Sequence, residues 1–400
     1  MHAAASVLQK CLPGVIGAMH AVRARALMMA VQALFSSRRL ILMDMARAWP
    51  GAERVRAPLK CLDRLLSNSH LHVERESCYA AMMQWLIRNS TPVILIDWSD
   101  LHEDCRWQLL RAAIPVGGRS ITVLDMVFPE SMKGSPIAER QLLRRLRALL
   151  PKTVTPILVT DAGFRGPWFR SVAKLGWHYV GRLRHRTLIR VDGSDWFDNR
   201  RLLANAIAQP KRIESVTMVA YAPSVADLIL YKKPPRGRVR LNRHGVRSRR
   251  RTCMVAERRE REPWLLVASP SLKELSARQI VKLYAKRMQI EQSFRDLKCE
   301  RFGCAFYYSL TRKPERIAVL LLIHALATFV AWLAALSLSA AQALVQYGGI
   351  ISNRTRRHYS LLRIGWEALR HADSRCRPTM LIITFTHPPS LFLAQLQIPS

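Results

Sequence analysis

The chain has 400 residues, half of them hydrophobic, and its 63 lysines and arginines against 28 aspartates and glutamates give a net charge of +35. That length and hydrophobic content suffice for one to three domains with buried cores and exclude a disordered chain. A positive excess of this size repels itself unless a polyanion screens it, so nucleic acid is the favoured partner; a ribosome-associated or membrane-surface protein is the alternative.

The eight cysteines are scattered along the chain, and none forms a Cys-x-x-Cys pair, so their spacing does not fit a zinc site. Scattered thiols in a chain of this size indicate a reducing compartment. The first residues also lack the charged-then-apolar arrangement of a signal peptide. We therefore expect a cytoplasmic protein.

The first predicted region, residues 1–88, is helical and basic. Ala-rich and Leu-rich stretches over 15–35 and 37–48 alternate with breaks at prolines, and arginines occur throughout. This pattern predicts a compact helical module that binds DNA. The alternative is the solvated basic face of some other helical domain.

The second region, residues 89–182, alternates strands and helices in the way that is typical of a mixed α/β sheet. Three apolar runs come first, the last two separated by a turn at Gly117-Gly118. The predicted strands cover 92–96, 107–114, 120–128, 156–160 and 177–180, and the predicted helices cover 137–150 and 168–175. We expect one sheet in which the second strand pairs between the first and the third.

The third region, residues 183–270, has short predicted strands and a basic tract over 232–251 that contains no acid. The predicted strands cover 216–221, 228–231 and 264–267. The tract ends in Arg249, Arg250 and Arg251, and its glycines should make it flexible. It is therefore predicted to contact phosphates as a loop or arm, a disordered tract without a specific role being the alternative.

The last two regions, residues 271–315 and 316–400, are predicted to be helical. A strong helix begins at Ser276 and runs to about Lys298, and a further helix is expected over 361–371. Between them, residues 317–345 are almost wholly apolar and long enough to span a bilayer. Their richness in alanine favours an internal or dimer-packing helix, a single membrane span being the alternative.

Two aspartates follow predicted strands: Asp97 comes after the first and Asp161 after the fourth. An acid just beyond the carboxyl end of a buried strand projects into the cleft where open α/β sheets hold ligands. One such residue is better explained as a helix cap or a turn residue. Two of them, on strands that we expect to be neighbours, indicate a site.

Glu291 lies on the predicted helix over 276–298, together with Tyr284, Arg287 and Lys298. At about 100° per residue these four side chains fall within about 60° of one another. A separate apolar face consists of Leu283, Ile290, Phe294 and Leu297. The helix can therefore present Glu291 to the two aspartates, although an ordinary amphipathic helix with an Arg287–Glu291 surface pair explains the pattern equally well.

Three carboxylates in one cleft, Asp97, Asp161 and Glu291, must take up protons or bind cations. Oxygen ligands without a His or Cys cluster favour Mg²⁺ or Mn²⁺. Two such ions about 4 Å apart stabilise both the attacking and the leaving oxygen of a phosphodiester displacement. Together with the basic surface, the trio indicates a nuclease or phosphoryl-transfer enzyme that acts on DNA or RNA.

The spacing Tyr284-x₂-Arg287-x₃-Glu291-x₆-Lys298 is that of the Y-R-E-K signature, and with it the chain resembles the IS4-type bacterial insertion-sequence transposases. The wider chain, over roughly residues 30–370, resembles the IS10/Tn10 type. The stretches that carry the likeness are Asp63-Arg-Leu-Leu, Val93-Ile-Leu-Ile-Asp97-Trp-Ser-Asp100, Asp161-Ala-Gly-Phe, Lys174-Leu-Gly-Trp177, Glu262-Pro-Trp264 and Lys286-Arg-Met-Gln-Ile-Glu291.

The resemblance implies an α/β fold: an RNase H-like core, formed by 89–182 and completed by the catalytic helix in 271–315. A β-rich basic insertion over 183–270 would interrupt it, between the helical regions 1–88 and 316–400. It further implies that Asp97, Asp161 and Glu291 bind two Mg²⁺ or Mn²⁺ ions and carry the catalysis. DNA phosphates would be contacted by Tyr284, Arg287 and Lys298. Trp264 would stack on a flipped base; the alternative is that Trp264 is a core residue of the insertion sheet.

By the same resemblance the protein would excise and reinsert an insertion sequence as a homodimer. It would nick each end, form and resolve a hairpin, and join the 3′-hydroxyls to target DNA. Residues 1–88 would bind the terminal inverted repeats, residues 316–400 would pack beside the core or in the dimer, and the protein would reside at the bacterial nucleoid. A resolvase or repair nuclease on the same fold needs the same carboxylates, whereas a non-enzymatic DNA-binding protein has no use for them.

Overall fold

The chain folds into helices and strands that belong to two units, as a computed structural model shows. The structure describes residues 3–191, 193–219, 222–234, 245–247, 250–251, 253–255, 262–338 and 359–372. The first unit contains the described residues of Met1–Val154 and Met288–Gln397, and the second contains those of Thr155–Arg287. The domain boundaries expected from the sequence remain predictions.

The helices and strands are numbered in chain order. The helices are α1 (Ala3–Cys11), α2 (Pro13–Ala18), α3 (Ala21–Ser37), α4 (Leu42–Arg47), α5 (Arg56–Leu66), α6 (Ser69–Leu86), α7 (Pro136–Leu149), α8 (Gly166–Lys174), α9 (Ala277–Ala285), α10 (Met288–Lys298), α11 (Pro314–Ser337) and α12 (Leu361–Ala372). The strands are β1 (Val93–Asp100), β2 (Trp107–Pro115), β3 (Ser120–Pro129), β4 (Ile157–Thr160), β5 (His178–Arg182), β6 (Leu188–Arg190), β7 (Phe197–Asp198), β8 (Lys211–Met218), β9 (Ser224–Tyr231) and β10 (Trp264–Ala268). Short 3₁₀ turns cover Glu130–Met132, Asn199–Asn205, Pro270–Leu272 and Phe306–Tyr308.

The N-terminal part of the first unit is helical, as the sequence predicted, and comprises α1 to α6. Local signals set the ends of these helices: Pro13 begins α2, where its missing N–H costs no hydrogen bond. Asn68 caps α6, its side chain accepting a hydrogen bond of 2.9 Å from the Leu71 N–H.

The three strands of the first unit form an antiparallel arrangement in the order β3-β2-β1, so β2 lies between its neighbours as predicted. Gly117 and Gly118 join β2 to β3 with backbone φ angles of 72° and 93°, which glycine adopts without steric strain. A mixed α/β architecture follows from these strands and the helices packed on them.

Helix α11 forms the core of the first unit. Every residue from Ile317 to Ala335 is buried, because α1, α3, α5, α6, α12 and β3 all pack against the helix. Among the described residues it is the one helix long and apolar enough to cross a membrane. Its complete burial favours the internal-helix interpretation over a membrane span; the part of the predicted 317–345 segment beyond 338 lies outside the described residues.

The second unit has strands in the order β4-β5-β10-β9-β8-β6-β7. β4 and β5 are parallel, and the remaining pairs are antiparallel, β10 joining β5 to β9. Strand β8 begins at Lys211, earlier than predicted, and a bulge between Ile213 and Val216 separates its two halves. Helix α8 packs on β5, and α9 packs on β4, β5 and β9.

The helix predicted from Ser276 to Lys298 is two helices, and the prediction of a single one is wrong. The first helix begins at Ser276 as predicted, and Ser276 and Gln279 form a capping box at the start of α9. The helix ends after Ala285 with tightened i→i−3 hydrogen bonds from the N–H groups of Lys286 and Arg287. Tyr284 therefore lies on α9, Arg287 lies just after it, and Glu291 and Lys298 lie on α10.

Candidate active site

Asp97 lies inside strand β1, not beyond its end as the sequence pattern predicted. The strand runs on to Asp100 because it continues to pair with β2, and Asp97 stands opposite Arg111 in that pairing. Residues 93–96 are buried, and Asp97 itself is 8% exposed. One carboxylate oxygen, Oδ1, accepts a hydrogen bond of 2.9 Å from the Trp98 N–H. A rigid strand, and not a loop, thus positions this carboxylate.

Glu291 lies in the first turn of α10, a helix that packs on β1, β2 and β3. The apolar face of this helix is buried, as predicted, through Ile290, Phe294 and Leu297. Ser293 also fixes the helix, because its Oγ accepts a hydrogen bond of 3.0 Å from the Ser120 N–H of β3. Glu291 and Asp97 are therefore carried by elements of the first unit that pack against each other.

Lys298 ties the last turn of α10 to the strand of Asp97. Its Nζ donates a hydrogen bond of 2.8 Å to Ser99 Oγ and one of 3.3 Å to the Asp100 carbonyl. Burial lowers the pKa of Lys298, while the negative charges of Asp100 and Asp97 act in the opposite direction. The ammonium group therefore lies beside the proposed catalytic strand.

Asp161 lies in the second unit, directly after strand β4, as predicted. Its Oδ1 accepts a hydrogen bond of 2.8 Å from the Gly163 N–H, which closes a tight turn. A Cβ at Gly163 would lie 3.0 Å from that same oxygen, so glycine is the residue that permits this close approach. The turn holds the carboxylate of Asp161 in one orientation.

Tyr284 is buried in the second unit, and two other predicted residues surround it. Its ring lies 5.0 Å from that of Trp264, edge to face, and 5.8 Å from the Arg287 guanidinium. Burial raises the pKa of Tyr284; the Arg287 and Arg182 charges lower it, and the negative charge of Asp161 raises it further. Trp264, Tyr284 and Arg287 thus form one cluster, within range of the charge of Asp161.

Trp264 begins strand β10 and is half-buried. Its ring also meets that of Tyr231 on the neighbouring strand, with centroids 5.8 Å apart. Part of the ring is thus in the insertion sheet and part at the surface. The position therefore suits both a core residue of that sheet and a ring that stacks on a base.

The predicted catalytic residues are divided between the two units. The first holds Asp97 with Glu291 and Lys298, and the second holds Asp161 with Tyr284. Among the residues that the structure describes, no three His, Cys, Asp or Glu side chains form a group that could hold a metal ion. The three carboxylates have the oxygen donors that Mg²⁺ requires, and their role as a metal-binding triad stays a prediction.

The arginines predicted to contact phosphates are described only in part. Arg249 lies outside the described residues, whereas Arg250 and Arg251 are exposed, as a phosphate contact requires. The tract around them is largely outside the described part of the chain.

A buried ion pair that was not predicted from the sequence lies in the first unit. Arg111 on β2 makes two hydrogen bonds of 2.8 Å to Asp125 on β3, and neither side chain is exposed. The guanidinium also lies 5.2 Å from the ring of Phe294 on α10. The signal was present, since each of two adjoining apolar strands contains one charged residue, but their pairing required the strand register. Arg182, whose charge lowers the pKa of Tyr284, was likewise not predicted.

Comparison with known proteins assigns the chain to a family. No curated protein matched the chain. A family model described as the transposase DDE domain matches residues 88–330, more than half of the chain and the part that contains Asp97, Asp161 and Glu291. Such a domain implies an RNase H-like fold, a DNA substrate and a requirement for divalent metal. The chain therefore belongs to the DDE transposase family.

Proposed function

We propose that this protein is the transposase of a bacterial insertion sequence of the IS4 family, similar to the IS10/Tn10 transposase. The observation that carries the proposal is the Y-R-E-K signature inside the matched domain. Support comes from Lys298, which hydrogen-bonds the strand of Asp97, and from Tyr284, whose pKa is sensitive to the charge of Asp161. Lys298 therefore bonds to the strand that carries Asp97, and Tyr284 lies within range of the charge of Asp161, each within its own unit.

In this proposal Asp97, Asp161 and Glu291 hold two Mg²⁺ ions. Bound there, the ions would activate the attacking hydroxyl and stabilise the leaving oxygen of the phosphodiester. The protein's own contribution is position: strand β1 holds Asp97, the Gly163 turn holds Asp161, and the packed helix α10 holds Glu291. Rigid placement of this kind removes the entropic cost of assembling the reacting groups.

The basic and aromatic residues around the carboxylates would bind the DNA end. Lys298, Arg287 and Tyr284 are proposed to contact phosphates near the scissile bond, and Trp264 to stack on a base flipped out near a hairpin. The arginines at 249–251, in the β-rich insertion, would contact the backbone farther away. Because phosphate contacts release counterions, affinity should fall steeply as salt rises.

The remaining regions would support the assembly. Residues 1–88 are proposed to bind the terminal inverted repeats, and residues 316–400 to pack beside the core or between two copies of the chain in a homodimer. The paired complex would nick, form and resolve hairpins, and join both 3′-hydroxyls to target DNA, in a bacterial cytoplasm at the nucleoid.

The test uses the inverted repeat that flanks the gene, prepared as a labelled duplex with adjoining DNA. Full-length protein and Glu291→Gln are incubated with it in Mg²⁺ or Mn²⁺, and the strands are separated on a denaturing gel. We expect cleavage at the repeat boundary with a hairpin product from the wild type and no product from Glu291→Gln.

A matched control is Glu315→Gln, at an exposed glutamate at the start of α11, which should cleave normally. Cleavage by Glu291→Gln at the wild-type rate would overturn the assignment of that residue. Cleavage without preference for the repeat boundary, and without a hairpin, would instead identify a nuclease that is not linked to a mobile element.

A further inference from the structure

A cavity of about 430 Å³ lies in the first unit, between the end of α10, the middle of α11 and the start of α12. Its volume is within the range of pockets that hold small molecules. Neither Asp97 nor Glu291 lines it, so it is separate from the predicted catalytic carboxylates.

Positive charge dominates the wall. Five arginines line the cavity against a single aspartate: Arg38, Arg119, Arg295, Arg301 and Arg363, with Asp296. Asp296 pairs with Arg119, and Glu367, which does not line the cavity, forms ion pairs with Arg38 and Arg363. Arg295 and Arg301 instead lie 5.5 Å and 5.1 Å from the ring of Phe302. The excess of guanidinium groups favours an anionic ligand, and phosphate is the anion that their fork geometry fits best.

Aromatic rings form the other part of the wall. Phe302 is 52% exposed and Tyr359 is 49% exposed, which is unusual for rings that pack in a core. Trp366 is nearly buried at the same cavity and packs 4.7 Å from the ring of Phe35. Exposed rings interleaved with arginines are the arrangement on which unpaired bases stack.

Two buried ring nitrogens remain at the wall. His324 Nδ1 and Trp366 Nε1 have no hydrogen-bond partner within the described chain, and the two residues are 4% and 8% exposed. Burial, together with the charge of Arg111, lowers the pKa of His324 to about 3, so its ring is neutral near pH 7. A neutral imidazole and an indole N–H match the donors and acceptors on the edge of a base.

We propose that this cavity binds one unpaired nucleotide of a DNA strand, with its base against the aromatic wall and its phosphate at the arginines. A paired base offers neither its faces nor its pairing edge, so the wall selects an unpaired one. Glu291 precedes Arg295 by four residues, about 6 Å along the axis of α10. The nucleotide would therefore lie one helical turn from the predicted catalytic glutamate. The inference rests on the proposed function only in that the chain acts on DNA.

The test compares two DNA probes with the full-length protein. One is a blunt duplex, and the other is the same duplex extended by a short single strand that contains 2-aminopurine. Anisotropy gives the affinity for each, and 2-aminopurine fluorescence reports stacking. We expect the wild type to bind the extended probe about tenfold more tightly than the blunt one and to quench the 2-aminopurine. The double variant Phe302→Ala/Tyr359→Ala should lose both effects while retaining its affinity for the blunt duplex.

Tyr308→Ala is the matched control, because Tyr308 is 53% exposed and does not line the cavity; it should behave as the wild type. Equal affinity of the wild type for the two probes would overturn the cavity assignment and leave the proposed function standing. Failure to bind either probe would overturn the proposed function as well. Displacement of the extended probe by an equal concentration of dAMP would show that the cavity takes free nucleotide and not a DNA strand.

Discussion

The buried pair Arg111–Asp125 allows a quantitative prediction. Both side chains are fully buried, both hydrogen bonds are 2.8 Å long, and the remaining Arg111 nitrogen, Nη1, has no hydrogen-bond partner within the described chain. Asp125→Leu or Arg111→Met would thus leave one charge buried without its counterion. Breaking such a pair costs about 3–5 kcal/mol, whereas replacing both partners with apolar residues of similar volume costs little. We expect the free energy of unfolding to fall by about 3–5 kcal/mol in each single variant, and by less than in either of them in Arg111→Met/Asp125→Leu.

The assay is urea unfolding followed by circular dichroism, with the double variant completing a mutant cycle. A free energy of unfolding within about 1 kcal/mol of the wild type in the single variants would refute this expectation. Losses of stability that simply add in the double variant would also refute it, because additivity means that the two side chains are not coupled.

The same pair has a predicted effect on activity. Arg111 stands opposite both Asp97 and Asp125 in the strand register, and residues directly opposed have Cβ atoms about 5 Å apart. In Asp125→Asn the guanidinium would lose its partner and could turn toward Asp97, where it would compete with a cation. We expect DNA cleavage by this variant to need a higher Mg²⁺ concentration. An unchanged Mg²⁺ midpoint would show that Asp125 does not hold Arg111 away from Asp97.

Three further predictions follow from single contacts. Gly163→Ala places a methyl group 3.0 Å from Asp161 Oδ1, so cleavage should fall about tenfold to a hundredfold, measured on the repeat substrate, while the melting temperature changes little. His324 has a pKa near 6.5 in the unfolded chain and about 3 in the folded one, so below pH 6.5 the unfolded state binds a proton that the folded state does not bind. The free energy of unfolding should therefore fall by about 2 kcal/mol between pH 6.5 and 5. His324→Leu should remove that loss in urea titrations. Lys298→Met removes the ammonium group that donates a hydrogen bond to Ser99 Oγ. If this ammonium group contacts a DNA phosphate, the slope of log affinity against log salt concentration should shrink by about one in the variant.

Matched variants control each of these measurements. Gly14→Ala meets nothing within 4 Å and should leave cleavage unchanged. Lys152→Met, at an exposed lysine, should leave the salt slope as it is. Normal cleavage by Gly163→Ala would mean that the turn does not orient Asp161. If the wild type and His324→Leu lost the same free energy of unfolding at acid pH, the effect would belong to another group.

The sequence alone was sufficient for the local architecture. Apolar runs of strand length, the Gly117-Gly118 turn and the amphipathic pattern of α7 predicted the order of elements in 89–182, because strand and helix periodicities are local properties. The helix start at Ser276 and the buried face through Ile290 and Leu297 are equally local properties of the sequence. The resemblance around the Y-R-E-K spacing indicated a transposase, and the domain match shows the DDE transposase family; membership of the IS4 family stays a proposal.

Other features depended on how distant segments pack. The helix break at Lys286 and Arg287 contains no glycine or proline, so no sequence pattern predicted it. Asp97 lies within its strand because β2 extends the pairing beyond the apolar run. The long apolar helix is a core helix because elements from both ends of the first unit cover it.

The paired charges and the cavity were the least predictable from the sequence. Arg111 and Asp125 are 14 residues apart and meet only through the register of two strands. The cavity joins Arg38, Arg119, Arg301 and Tyr359 from distant parts of the chain. A sequence determines which residues can pair or stack, since that depends on their chemistry. Which of them meet depends on register and packing, and these are decided by the tertiary structure.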